Sequence, residues 1–402
     1  MLFAVQRDHW PILAAGAAVA ASPVSIAFSQ LCLGAAILLT IRDWRSAKYP
    51  PGAWLLLVFF AWTVASAAVS DTPVRAWPQI RKFYVYLIVP CLAAAYRGPT
   101  EVRSILIALG AGGTLSAIWS LVQYARKYAA AKSAGVDFTE FYIASRITGF
   151  MSHWMTFGGT MMAVFLIGAA YVLFRRGRSW QVPVVLLIVG VAIFLGWTRG
   201  IWLGTFAGTV YLVWSWRKAY VFAVPVLAVA AIAVMPQPER GRVLSIIQPR
   251  GETDSNGHRK ALFWTGLAMI KAHPVFGVGP EQVERNFERY APESIPRPFP
   301  RSWWYGHLHN IYIQFSADRG IPAMLAIIGF FLWCLFTIIR AAAATPPDAG
   351  QWMLRGIAAF MIAVLTTGLF EHNLADSEIL MLALGLTTLG SRLAAERASI
   401  PV

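Results

Sequence analysis

Apolar runs of roughly 17–25 residues recur along the whole chain, each long enough to cross about 30 Å of hydrocarbon as a helix. No other feature narrows the fold as far. A backbone in lipid must satisfy its own hydrogen bonds, which leaves only helices and closed barrels. The runs are too long and too evenly apolar for barrel strands, which alternate over about 10 residues. The expected fold is an all-α polytopic membrane protein of about 12 transmembrane helices, with a large, partly helical loop between late spans. Of 402 residues, 57% are hydrophobic and 13% charged, with mean hydropathy +0.57. A soluble domain is nearer a quarter charged.

Lengths and breakers place the spans at roughly 10–22, 24–41, 53–69, 80–96, 102–125, 153–174, 181–197, 200–216, 219–235, 321–340, 353–370 and 376–394. The chain then divides into 1–235, a bundle of about nine spans; 236–320, a loop whose short helices carry catalytic residues; and 321–402, the C-terminal transmembrane helices. Basic residues in short loops set orientation. Arg42, Arg45, Lys48, Arg97, Arg103, Arg175, Arg176, Arg178, Arg217, Lys218, Arg340, Arg392 and Arg397 fall on one side of such a count. That side is expected to be cytoplasmic, with both termini there. The turn near Ser22, segment 70–79, loop 126–152, the turn at Arg199, loop 236–320 and turn 371–376 then face the periplasm of a bacterial inner membrane. The same clustering explains the formal charge of +15 by topology and anionic-lipid contacts. Nucleic acid is not an expected partner, because no binding motif is present. Cys32, Cys91 and Cys334 lie in apolar runs and read as packing residues, not disulfides or metal ligands.

The long loop has a pattern of its own. Leu262, Leu267, Met269 and Ile270 are spaced for a helix over 259–273, which Pro274 ends, and Gly277 and Gly279 give a turn. Residues 281–290 make a second short helix. Pro292 to Pro300 is stiff and extended. Trp303, Trp304 and Tyr305 suit the lipid headgroup level. Residues 307–318 read as a third short helix at the membrane edge, before Gly320-Ile321-Pro322 opens the next span.

Ionisable groups at a membrane edge are costly and so are candidates for function. Arg199 sits in a turn of almost no length, followed by Gly200, Gly204 and Gly208, which let helices approach closely. It is either a snorkelling side chain or a cation at the mouth of a packed crevice, able to grip phosphate through two parallel bonds. Arg259 opens the first loop helix, as a solvated charge beside Lys260 or as a second cation. His309 shares a short helix with Tyr312, and an imidazole with its ordinary pKa of about 6.5 suits a base at neutral pH. On a helix, His307 two positions away would point elsewhere, and which ring acts stays open. Asp376, in a polar turn with Glu371, His372 and Glu378, can orient His309 or receive its charge; it can equally be part of a solvated, helix-capping turn. Lys82 and Arg146, with Arg81 and His153, extend a positive funnel toward an anionic headgroup. No residues show metal-ligand spacing, and no metal is expected. His309, Arg199 and Arg259 together suggest a site that holds a polyanion and removes one proton.

Three segments, in order, carry a resemblance. They are Thr198-Arg199-Gly200-Ile201-Trp202-Leu203-Gly204; Arg259 through Trp264 to His273-Pro274-Val275-Phe276-Gly277-Val278-Gly279; and His309-Asn310-Ile311-Tyr312-Ile313-Gln314 through Gly320-Ile321-Pro322. Over roughly residues 190–340 the chain resembles the O-antigen ligase and polymerase superfamily of cell-surface polysaccharide assembly. Its length and its Ser22-Pro23 turn are similar to the lipopolysaccharide ligase branch. The resemblance implies a glycosyltransferase without metal or cofactor. The donor would be O-antigen linked to undecaprenyl pyrophosphate, and the acceptor a sugar hydroxyl of lipid A–core. It also implies that Arg199 and Arg259 serve the pyrophosphate and that His309 is the base. Polymerases and protein O-oligosaccharyltransferases of the same superfamily are not separated by these residues. A transporter of about twelve spans is the reading from another class; it calls for repeated halves and midplane ionisable groups. The candidates here sit at one edge.

Overall fold

The computed structural model describes residues 9–175, 179–234, 240–241, 255–295, 297, 306–346 and 350–398. Among these the chain is helical throughout and forms no strand. The helices are α1 (Trp10–Ala20), α2 (Ile26–Thr40), α3 (Trp54–Val69), α4 (Trp77–Arg81), α5 (Ile88–Ala95), α6 (Pro99–Ala134), α7 (Phe138–Ala144), α8 (Trp154–Phe174), α9 (Gln181–Leu195), α10 (Arg199–Trp216), α11 (Ala223–Val234), α12 (Ser255–Ala272), α13 (Val283–Tyr290), α14 (Ile311–Arg319), α15 (Ile321–Ala344), α16 (Gln351–Thr367) and α17 (Ser377–Ala398). By length and composition, five are long and apolar enough to cross a membrane: Ile26–Asp43, α6, α8, α15 and α17. The apolar α1, α3, α9 and α16 are shorter. These are the proportions of a multi-pass membrane protein. The side chains agree: Leu31 and Leu38 of α2 are 73% and 81% exposed, whereas α16 and α17 are buried along almost their whole length. A helix apolar on every side belongs in a bundle whose outer solvent is lipid.

Three stretches differ from expectation. α6 runs for 36 residues and absorbs the first part of the expected 126–152 loop. Strong helix formers from Arg126 to Lys132 carry it on, until Gly135 at φ +65° stops it. The expected span 80–96 is divided into α4, a 3₁₀ turn (Lys82–Leu87) and α5. Pro78 and Pro90 each fall in the first turn of a helix, where a missing N–H is tolerated. The expected span 219–235 begins as a 3₁₀ turn (Lys218–Phe222) before α11.

α10 and α16 pack closely and run antiparallel. A Cβ on Gly204 would collide with Thr367 Oγ1 and lie 2.8 Å from the Ala363 carbonyl oxygen; on Gly208 it would lie 2.9 Å from that of Ala359. Backbone meets backbone there, and only glycine permits it. Gly204→Val is expected to destabilise the bundle by about 1–3 kcal/mol, seen as a lowered thermal unfolding midpoint in detergent.

The 236–320 segment is packed rather than loose where it is described. α12 starts at Ser255, ahead of the expected start, and Leu262, Met269, Val283, Phe287 and Leu308 form a second small core. Hydrogen bonds fasten this segment to α3: Trp62 Nε1 donates to the Val275 carbonyl (2.8 Å) and Ser66 Oγ to that of Phe276 (2.6 Å). The Val278 and Gly279 N–H groups donate to the carbonyls of Ala317 (2.8 Å) and Asp318 (2.9 Å). Gly277 and Gly320 have φ of +68° and +86°, and a Cβ on either would strike the opposing backbone. The glycines of the two later motifs are thus explained by close approach of two chain segments. Arg319, 2% exposed, lies between the rings of Phe59 and Phe315 (5.6 and 5.3 Å) and bonds Gln79. Residues 296 and 298–300 of the Pro292–Pro300 stretch, and Arg176, Arg178, Trp303, Trp304 and Tyr305, lie outside the described residues.

Candidate functional site

Helix α14 begins one residue after Asn310, whose side chain accepts from the N–H groups of Tyr312 (2.9 Å) and Ile313 (3.0 Å). That cap excludes His307 and His309 from the helix, contrary to the expectation of a helix over 307–318. His309 instead has φ +47°, a conformation that costs a non-glycine residue about 1–3 kcal/mol unless its surroundings hold it. They do. The Ile311 N–H donates to the Gly368 carbonyl (2.8 Å), Asn310 Nδ2 to that of Leu369 (3.0 Å) and Tyr312 Oη to that of Leu365 (2.9 Å). Tyr312 therefore anchors the segment and does not line the cavity.

These bonds seat His309 on the end of α16, with its Nδ1 2.9 Å from Glu371 Oε2. Arg259 Nη2 donates to the other oxygen, Glu371 Oε1. Glu371 is 3% exposed. Burial alone would raise its pKa, but the His309 hydrogen bond and the Arg259 charge outweigh burial and hold it below the ordinary value. An anionic carboxylate only accepts, so His309 Nδ1 carries a proton, and in the neutral ring the lone pair is then on Nε2.

Because the chain is not helical here, the rings of His307 and His309 meet edge to face, 4.2 Å between centroids, and do not diverge. His372 lies 5.8 Å from His307, and His258 6.0 Å from His309. Burial, then the neighbouring His309, pushes the His307 pKa down to about 4. Burial also holds His372 well below the usual range. Among the described residues no three ligand groups converge as a metal site would require.

This has a consequence for stability. Above pH 6.5 the His307 ring is neutral both folded and unfolded. As pH falls from about 6.5 toward about 4, the unfolded ring takes a proton that the folded one refuses, and stability is lost through that window. The gap corresponds to on the order of 3 kcal/mol. Thermal unfolding measured from pH 7 to 4 should show this decline, and His307→Asn should flatten it.

Arg199 opens α10 and is 6% exposed. A Cβ on its neighbour Gly200 would lie 3.4 Å from Glu371 Cγ, so the start of α10 abuts the same carboxylate. Trp197, at φ +49° and fully buried, stands edge-on to Tyr142 (5.0 Å), whose hydroxyl donates to the Leu195 carbonyl (2.6 Å). Gln123 Oε1 accepts from the N–H groups of Thr148 and Gly149 (3.0 Å each). Docked in this way, α7 and its following turn deliver Arg146, which lies over Trp154 (5.0 Å). Burial lowers the Arg146 pKa to about 10, still cationic at neutral pH, and it feels the charges of Glu371, Arg259 and Arg199. Glu371 is thus bonded by Arg259 and feels the charge of Arg146, and Arg199 acts on Arg146.

Beside the His309–Glu371 pair opens a cavity of about 590 Å³, bordered also by Trp154, His307 and Asp376. Two sequence expectations change here. Asp376 does not touch His309; it accepts from Thr156 Oγ1 (2.8 Å), and burial raises its pKa. Lys82 does not border the cavity; its Nζ donates to the Ala375 carbonyl (2.7 Å), within the 371–376 turn. The carboxylate that bonds His309 is Glu371, in the same polar turn. The glycine stripe of α10 marks a close helix contact in the sequence, but that its partner is α16, which ends beside Glu371, is seen only in the packing.

Residues 183–328 match the O-antigen ligase family model. The match contains Arg199, Arg259 and His309; Glu371 and Arg146 fall outside it. No curated protein matches the chain. Over that stretch the chain is similar to the O-antigen ligase family.

Proposed function

We propose that the protein is an inverting, metal-independent glycosyltransferase. It moves O-antigen polysaccharide from undecaprenyl pyrophosphate to a sugar hydroxyl of lipid A–core at the periplasmic face of a bacterial inner membrane. The observation that carries this reading is the buried Glu371 carboxylate, bonded at once by His309 Nδ1 and Arg259 beside the cavity.

In the proposed step the acceptor hydroxyl gives its proton to His309 Nε2 as its oxygen attacks the anomeric carbon. The anomeric carbon–oxygen bond breaks on the opposite face, and its electron pair leaves on the pyrophosphate. A single displacement inverts the centre. Pyrophosphate needs no general acid if its charge is met, and Arg146, Arg199 and Arg259 can meet it in a poorly hydrated recess. A positioned base contributes ~10²–10⁴ in rate, and two amphiphiles held in one membrane arrive partly oriented.

Arg199→Lys should retain the charge and still lose about 10²–10³ in rate, because the ammonium cannot reproduce the two-pronged grip. The test of function is reconstituted transfer from a lipid-linked O-antigen donor. Product on purified lipid A–core supports the ligase reading. Product only on a second lipid-linked repeat unit would make the protein a polymerase.

A further inference from the structure

Helix α8 touches two unrelated cavities. Trp154, Gly159 and Met162 in its first half border the histidine cavity. Val164, Tyr171 and the following Arg175 border a second groove, of about 600 Å³, between α6, α8 and α9. α8 has 21 residues, about 31 Å at 1.5 Å per residue, so the groove's arginine rim and the histidine cavity lie at opposite ends of a membrane-length helix.

The groove is apolar along its length and cationic at one end. It follows α6 from Arg103 to Leu115, about 18 Å of helix. Arg103, near the start of α6, and Arg175, at the end of α8, border the same rim. Arg175 is pre-set there: its Nη1 donates to Tyr171 Oη (2.6 Å), and its guanidinium lies 4.8 Å from that ring's centroid. Midway, Gly110 borders the groove, and nothing stands within 4 Å of where its Cβ would be.

A slot of this kind suits a hydrocarbon chain joined to an anionic phosphate. A soluble anion would leave the apolar length unfilled. A zwitterionic lipid would bring its own cation to the arginines. We propose that the groove is a site for an anionic diacyl phospholipid, with its phosphate on Arg103 and Arg175 and one acyl chain running past Gly110. Guanidinium groups match phosphate geometry, and basic residues at a membrane surface favour anionic lipid. The site is separate from the transfer chemistry.

The test uses the full-length protein in detergent, given dioleoyl phosphatidylglycerol or dioleoyl phosphatidylcholine, with bound lipid counted by native mass spectrometry. The anionic lipid should be retained at one per protein, with a preference of about tenfold or more. Replacing both Arg103→Gln and Arg175→Gln should reduce the preference to near unity. Gly110→Leu fills open space on a helix and should lower retention of both lipids. Equal retention of the two lipids by the wild-type protein would overturn the proposal, as would a double variant that keeps the wild-type preference.

Discussion

Replacing His309 with alanine is expected to lower glycan transfer by about 10²–10⁴-fold or more, with the protein still folded and membrane-inserted. The substitution removes the one lone pair that the Glu371 contact leaves available on the ring. Its structural cost should be small. The His309 side chain is 14% exposed and bonds Glu371, while the Asn310 cap and the bonds from Ile311 and Tyr312 are untouched. Single-turnover transfer, measured beside a thermal unfolding curve, separates the two effects. A variant that transfers at the wild-type rate would remove His309 from the role of base.

Glu371→Gln should be nearly as damaging, about 10²–10⁴-fold, through a different fault. Arg259 and His309 Nδ1 are both donors, and the carboxylate offers each an oxygen. An amide has one oxygen and one NH₂, so it can accept from only one of them. If the NH₂ faces His309, Nδ1 must become the acceptor, and the proton moves to Nε2, where the base is needed. If it faces Arg259, two donors meet in a buried place. In both cases the negative charge that would steady the imidazolium is gone. Asp376→Asn should cost far less, since that carboxylate is bonded to Thr156 and not to His309. Equal losses in the Glu371 and Asp376 variants would contradict the assignment of the orienting acid.

Much of the site was legible in the chain. Arg199 stands out because a charge in so short a turn, followed by glycines every fourth residue, implies a packed crevice. Arg259 and His309 stand out by their place in ordered motifs. The structure adds why the motif glycines are glycines: Gly277 and Gly320 permit the approach of the Val275–Gly279 and Ala317–Gly320 segments, on which the His309 segment depends. The placement of His309 on a helix did not hold, because Asn310 is the stronger start signal and helix periodicity alone does not mark a cap. Two expected stretches differ in detail: a 3₁₀ turn divides 80–96, and a run of helix formers extends α6 past the stretch that hydropathy marks.

What the chain determined by itself is local: where apolar length demands helix, where proline and glycine interrupt it, and which ionisable groups sit at the ends. The tertiary structure decided the partnerships. Glu371 lies 62 residues from His309 and 112 from Arg259, and no period or spacing encodes those distances. They arise because α10 presses its glycines against α16 while three hydrogen bonds lay the Asn310–Tyr312 segment over the end of the same helix. Choosing Glu371 over Asp376 is therefore a result of helix packing, and it sets which carboxylate holds the imidazole.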